Sequence, residues 1–206
     1  MLNFPIEEAI IDYFSIPGKK SNPNQSMIAV IAARAIAITN MVNLFNKSDI
    51  YLTTIDIPEL ALRNLTALFE QDENPSALIY FYENFIMLNI TRQKILYFSR
   101  RIPIPINPET KQCNYEQLCL DILRYFDYFQ SQWRLPSPSR VFTASEKNIT
   151  DEVAKKISEY LLVAVEPVPL NKFMLASDQN KTIETKYLLP IGCALRNETS
   201  YVKSGN

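Results

Sequence analysis

Short apolar runs of strand length alternate along this chain with longer stretches in which apolar residues return every three or four positions. Ala9–Phe14 reads as a strand and stops at the turn signal Ser15-Ile16-Pro17-Gly18. A polar loop over Lys19–Gln25 leads to a short buried strand, Ser26–Ala32. Ala33–Lys47 follows as a helix with a loose stripe of Ile36, Met41, Leu44 and Phe45. Ile50–Ile55 has strand composition. Pro58 suits the first turn of the next helix, which extends to about Gln71. Leu60, Leu62, Leu65, Leu68 and Phe69 make that helix apolar on more than one side, which predicts that it is sandwiched.

After the polar break QDENPS the pattern changes. Ala77–Tyr82, Phe85–Ile90 and Ile95–Ile102 are rich in Ile, Phe and Tyr and are separated by short polar turns, which predicts an antiparallel meander. Pro103, Pro105 and Pro108 cannot continue a ladder and end it. Asn114–Trp133 is a helix with Tyr115, Leu118, Ile122, Phe126, Phe129 and Trp133 on one stripe, a packing face. A turn over Leu135–Ser139 precedes the strand Arg140–Ala144. Thr150 is placed to cap the next helix, with Asp151 and Glu152 at its positive end. Val163–Pro169 is a short edge strand, and Thr182–Arg196 a last helix that Pro190 should kink. No internal repeat is seen. The second block therefore reads β-β-β-α-β-α, with a short extra strand before the final helix.

Composition narrows the chemistry. The 206 residues are 47% apolar and 21% charged, with formal net charge −1, the balance of a folded globular protein without a basic face for nucleic acid. Arg92, Lys94, Arg100 and Arg101 read as a solvated hairpin surface, not a phosphate patch. Gly18, Gly192 and Gly205 are the whole glycine complement, where average usage of roughly 7% would supply about fourteen. None lies between a strand and a helix in a phosphate-binding pattern. The chain has no His, which removes the commonest general base and zinc ligand. Cys113, Cys119 and Cys193 form no C-x-x-C and read as reduced packing residues. The pairs Glu7/Glu8, Asp72/Glu73 and Asp151/Glu152 sit at turns or helix starts, where a solvated or dipole-facing role suffices. No signal-peptide pattern opens the chain, and no apolar stretch approaches the ~18 residues of a membrane span.

Several stretches together carry a family resemblance: NFPIEEAIIDYF at Asn3–Phe14, IDIPELALRNLTAL at Ile55–Leu68, LYFSRRIPI at Leu96–Ile104, LRYFDYFQSQ at Leu123–Gln132 and YLLPIGCALR at Tyr187–Arg196. In this order and spacing they resemble the PilM-like proteins of type IV pilus assembly, most closely the MSHA-type (MshI) branch. The resemblance implies an actin-like, mixed α/β fold whose second domain is ribonuclease H-like. It also implies that residues 1–56 are the remnant of a first actin-like domain whose upstream meander is missing. Residues 57–75 would then be a connecting helix and 76–206 the second domain. Ile50–Ile55 would have lost its sheet neighbours, making Ile50, Leu52 and Ile55 a candidate association edge and self-association an expected property.

The nucleotide site of the family does not transfer. Its second phosphate loop falls at Phe81–Phe85 and its adenosine turn at Ala144–Asn148, both without Gly. No catalytic residue, cofactor or metal ligand is carried over. The reading that follows is a non-catalytic cytoplasmic scaffold. It is peripheral to the inner membrane and bound to a PilN-like subunit, with an assembly ATPase as a second candidate partner and no nucleic acid or membrane insertion. Two alternatives stand beside it: a residual ATP-binding protein, and a GspL-like domain of type II secretion. The polar end NETSYVKSGN, without a membrane helix, argues against the latter.

Overall fold

The computed structural model describes residues 3–17, 27–70, 73–145, 151–169 and 184–196. The polar loop Lys19–Gln25, the cap Thr150 and Asp72 lie outside these. The chain divides into two compact units, one of residues up to Asp56 and one over Ile57–Asn197.

In the first unit, strands β1 (Ala9–Ile16) and β2 (Met27–Arg34) form a two-stranded antiparallel sheet, with Tyr13 opposite Val30. Helix α1 (Ala35–Lys47) follows β2 directly. The elements are where the periodicity places them, but their burial is not. No residue of α1 is buried, and Ile36, Met41 and Leu44 are exposed. β2 is half-exposed instead of buried, because a lone hairpin has too little around it to cover both faces. Ile50–Ile55 forms no strand: the chain is irregular from Ile50 to Ile57. Among the described residues strand composition there meets no partner ladder, and the Ile50 N–H instead donates to Phe45 O at 3.1 Å, as part of the helix end.

The second unit is built on a five-stranded sheet in the order β5-β4-β3-β6-β7. Its strands are β3 (Ser76–Phe81), β4 (Phe85–Arg92), β5 (Ile95–Pro103), β6 (Arg140–Ser145) and β7 (Val165–Pro167). The meander β3–β4–β5 is antiparallel, and β6 and β7 add parallel to β3. The two parallel joins need crossovers, which α3 (Tyr115–Trp133) and α4 (Asp151–Leu161) supply. Between β4 and β5 the turn residues Gln93 and Lys94 both take left-handed φ, 52° and 63°, the twist that a two-residue hairpin prefers. The Lys94 peptide is pinned from both sides: its N–H donates to Glu70 Oε2 at 2.6 Å, and Arg63 Nη1 donates to its carbonyl at 3.3 Å.

Two helical layers cover the sheet. Asn114 caps α3 by accepting from the Gln117 N–H at 3.1 Å, and Arg134 ends it with φ 53°. Its stripe is the one read from the sequence. Leu118, Ile122, Phe126, Phe129 and Trp133 are buried, Tyr115 is half-buried, and Cys119 joins them. Tyr97 of β5 meets Phe129 and Trp133 edge-on at 6.2 and 6.3 Å. The opposite face takes α2 (Pro58–Thr66) and α5 (Leu188–Ala194), around Leu62, Leu65, Leu78, Tyr80, Met87, Phe142 and Leu188. Every residue of α2 from Leu60 to Thr66 is buried, as a sandwiched helix requires, though it ends before Gln71. Asn89 ties α2 to the sheet: its Nδ2 donates to Glu59 O at 2.8 Å, and its Oδ1 accepts from Ser99 Oγ at 2.8 Å. Pro190 does not kink a long helix. A 3₁₀ turn over Thr185–Tyr187 comes first, so Pro190 falls in the opening turn of α5, where its missing N–H costs no helical bond.

Candidate functional site

In an actin-like second domain, a phosphate would be gripped at the β3–β4 turn. A phosphate loop works by bringing several backbone N–H groups onto one anion, which requires absent side chains and left-handed backbone. Here the turn is filled. The Tyr82 N–H is spent on Phe85 O at 2.9 Å, and the Asn84 carbonyl accepts from the Ile104 N–H at 3.0 Å. The Tyr82 and Phe85 rings stack at 4.5 Å, and Tyr80 lies 4.8 Å below Tyr82. Arg101 covers the Phe85 ring at 5.5 Å. Tyr82 packs onto the sheet's α2-facing core. Glu83 stands exposed at the tip and would repel a phosphate.

The second expected loop starts at the end of β6, where Ala144 and Ser145 are buried. Its residues 146–148 lie outside the described residues. Beside it a cleft of about 40 Å³ is lined by Thr143, Ala144, Ser145, Pro167, Val168, Thr185 and Leu188. That holds a few waters, against several hundred cubic ångströms for a small-molecule site.

The charged groups singled out in the sequence are dispersed or paired. Arg92 Nε donates to Glu73 O at 2.6 Å and lies 3.9 Å from the Glu73 carboxylate. Arg101 lies 3.6 Å from Glu59. Glu152 pairs with Lys156 at 3.1 Å in the first turn of α4, and Glu7 and Glu8 are exposed in a 3₁₀ turn. Among the described residues no group of three His, Cys, Asp or Glu could hold a metal, and no helix is long and apolar enough to cross a membrane. Cys119 is buried, and burial pushes its thiol up to about 12, so it stays protonated and inert. Burial also raises the half-buried Cys113. Cys193 departs from the expected packing role: it is exposed on α5.

Ile50 and Ile55 are exposed and Leu52 is half-buried, but they share no strand. Another exposed apolar surface lies upstream in the sequence. On one face of the hairpin Ile11, Tyr13, Ile28 and Val30 are 50, 65, 54 and 59% exposed. Sequence reasoning passed over it, because the same residues would read identically in a covered strand.

No sequence-family model matches the chain, and no curated protein matches it. Solved structures do. One described as the PilM-PilN type IV pilus biogenesis complex superposes with a TM-score of 0.69 at 17% identity, over 95% of this chain and 68% of that chain. The ethanolamine utilization protein EutJ of Carboxydothermus hydrogenoformans gives 0.50 at 12% identity, over 79% of this chain and 61% of that one. A Bacteroides thetaiotaomicron protein described as having an actin-like ATPase fold gives 0.49 at 10% identity, over 90% and 60%. The chain thus spans about two thirds of the first of these and less of the other two. At such identities the likeness is one of fold, and the chain is a mixed α/β protein of the actin-like kind.

Proposed function

We propose that this chain is a non-catalytic interaction protein of type IV pilus assembly, of the MSHA kind. It would work at the cytoplasmic side of the inner membrane by holding a PilN-like membrane subunit and, beyond it, an assembly ATPase. The observation that supports the non-catalytic part is the β3–β4 turn, which carries stacked Tyr82 and Phe85 and the exposed carboxylate of Glu83 and has no glycine. The likeness to a chain of a PilM-PilN type IV pilus biogenesis complex supports the choice of pathway. Titration calorimetry with Mg-ATP should show no heat of binding. A dissociation constant below ~100 μM, about −5.5 kcal/mol, would establish a nucleotide-binding protein instead. Binding of a synthetic peptide from the cytoplasmic start of a PilN-like subunit tests the partner. Saturable binding supports it, and none at millimolar peptide removes it.

A further inference from the structure

Among the described residues the two sheets have four outer edges, and three of them are guarded against pairing with another strand. β5 carries Arg100 and Arg101 and ends at Pro103. β7 is three residues long, holds Glu166 and ends at Pro167. β1 carries Asp12 at its middle and follows Glu7 and Glu8. Charges, proline and shortness are the devices that keep edges from templating a new strand. β2 has only Arg34, its last residue. Met27–Ala33, MIAVIAA, is seven residues without charge, Pro or Gly, rich in β-branched side chains. Among the described residues its outer edge pairs with no strand. Length, β-propensity and absence of charge together are the signature of a segment that adds to its own kind.

We infer that β2 is the association edge of this protein, and that its occupant is β2 of a second copy, joined antiparallel into a four-stranded sheet β1-β2-β2-β1. Self-pairing is favoured over a foreign peptide because β2 offers no charge between Met27 and Ala33 with which to choose one. Self-pairing of β1 would bring Asp12 close to its symmetry mate, and of β5 would bring Arg100 and Arg101 together, which like charges across a ladder oppose. A two-fold axis normal to the sheet keeps side chains on their own face, so opposed residues must share parity. Centring on Val30 then sets Met27 against Ala33, Ile28 against Ala32, Ala29 against Ile31 and Val30 against itself, and leaves Arg34 outside the ladder. Completing four strands also gives a marginal hairpin the neighbours that independent stability requires. This deepens the proposed interaction role by naming one partner, on an edge other than the one expected at Ile50, Leu52 and Ile55.

Light scattering after size exclusion reads the state of the full chain. The native chain should run at twice the monomer mass at micromolar concentration. Val30 is exposed, so Val30→Lys should keep the circular dichroism spectrum and halve the mass. Val30→Glu should do the same, and mixing the two variants should restore the doubled mass, because Lys then stands opposite Glu. Tyr13→Lys, on β1, should leave the dimer intact. A monomeric native chain, a dimer that survives Val30→Lys, or a mixture that stays monomeric overturns the inference. A monomer that still binds the PilN-like peptide overturns this pairing alone and leaves the scaffold reading standing.

Discussion

Gly192 is the residue whose missing side chain the fold uses most directly. A Cβ built there would lie 2.3 Å from the Ala61 carbonyl oxygen and 2.8 Å from its carbon, both backbone atoms that cannot swing aside. α2 and α5 cross at this point, and Asn64 Nδ2 seals the crossing by donating to the Gly192 carbonyl at 2.8 Å. In an open helix, Gly→Ala stabilises by up to about 1 kcal/mol. Here the helices would have to separate, so Gly192→Ala should instead cost about 1–3 kcal/mol, read as a lower urea midpoint. A raised midpoint would mean that the two helices do not touch at Gly192. The sequence shows that glycine is scarce and missing from the turns after β3 and β6. It does not show why one stands at 192, because its neighbour Asn64 is 128 positions away. The same holds for Tyr82 and Phe85: their identity tells that the β3–β4 turn has no glycine, while their stacking is visible only in space.

At the scale of elements, what was legible depended on whether the signal was local. The α3 stripe is local, since spacing of three and four dictates a face whatever lies opposite. The meander is local too, its register set by short turns. Phe126 is 3% exposed at the middle of that stripe, and Tyr128 is 45% exposed beside it. Phe126→Ala should cost about 3–5 kcal/mol. Tyr128→Ala should cost far less, although its ring lies 5.9 Å from that of Phe98. Urea melts of the two variants decide the matter, and equal losses would show that α3 presents a different face. Ile50–Ile55 shows the other case. Strand composition states a capacity to pair, but a strand exists only where a neighbour offers a ladder, and none of the described residues does there. Pro190 is a related case: it marks where a helix cannot run through, and the fold answers by starting α5 just before it.

At the scale of the whole chain, the two units differ in what they bury. In the second unit Ala77, Leu78, Ile79 and Tyr80 of β3 and Ile86, Met87 and Leu88 of β4 are fully inaccessible. In the first unit no described residue of β1, β2 or α1 is buried. Opening free energy follows buried apolar contact, since local unfolding costs least where least surface is withdrawn from water. Native-state hydrogen exchange should therefore find amides before Ile57 opening at lower free energy than those of β3 and β4. The measurement belongs in the Val30→Lys variant, where pairing between copies is removed and cannot lend β2 protection. In the native chain at higher concentration, protection should rise in Met27–Arg34 and stay unchanged in β3 and β4. Uniform protection from Ala9 to Arg196 in the variant would overturn the contrast. It would mean that the hairpin and α1 draw stability from contacts that their exposed side chains do not make.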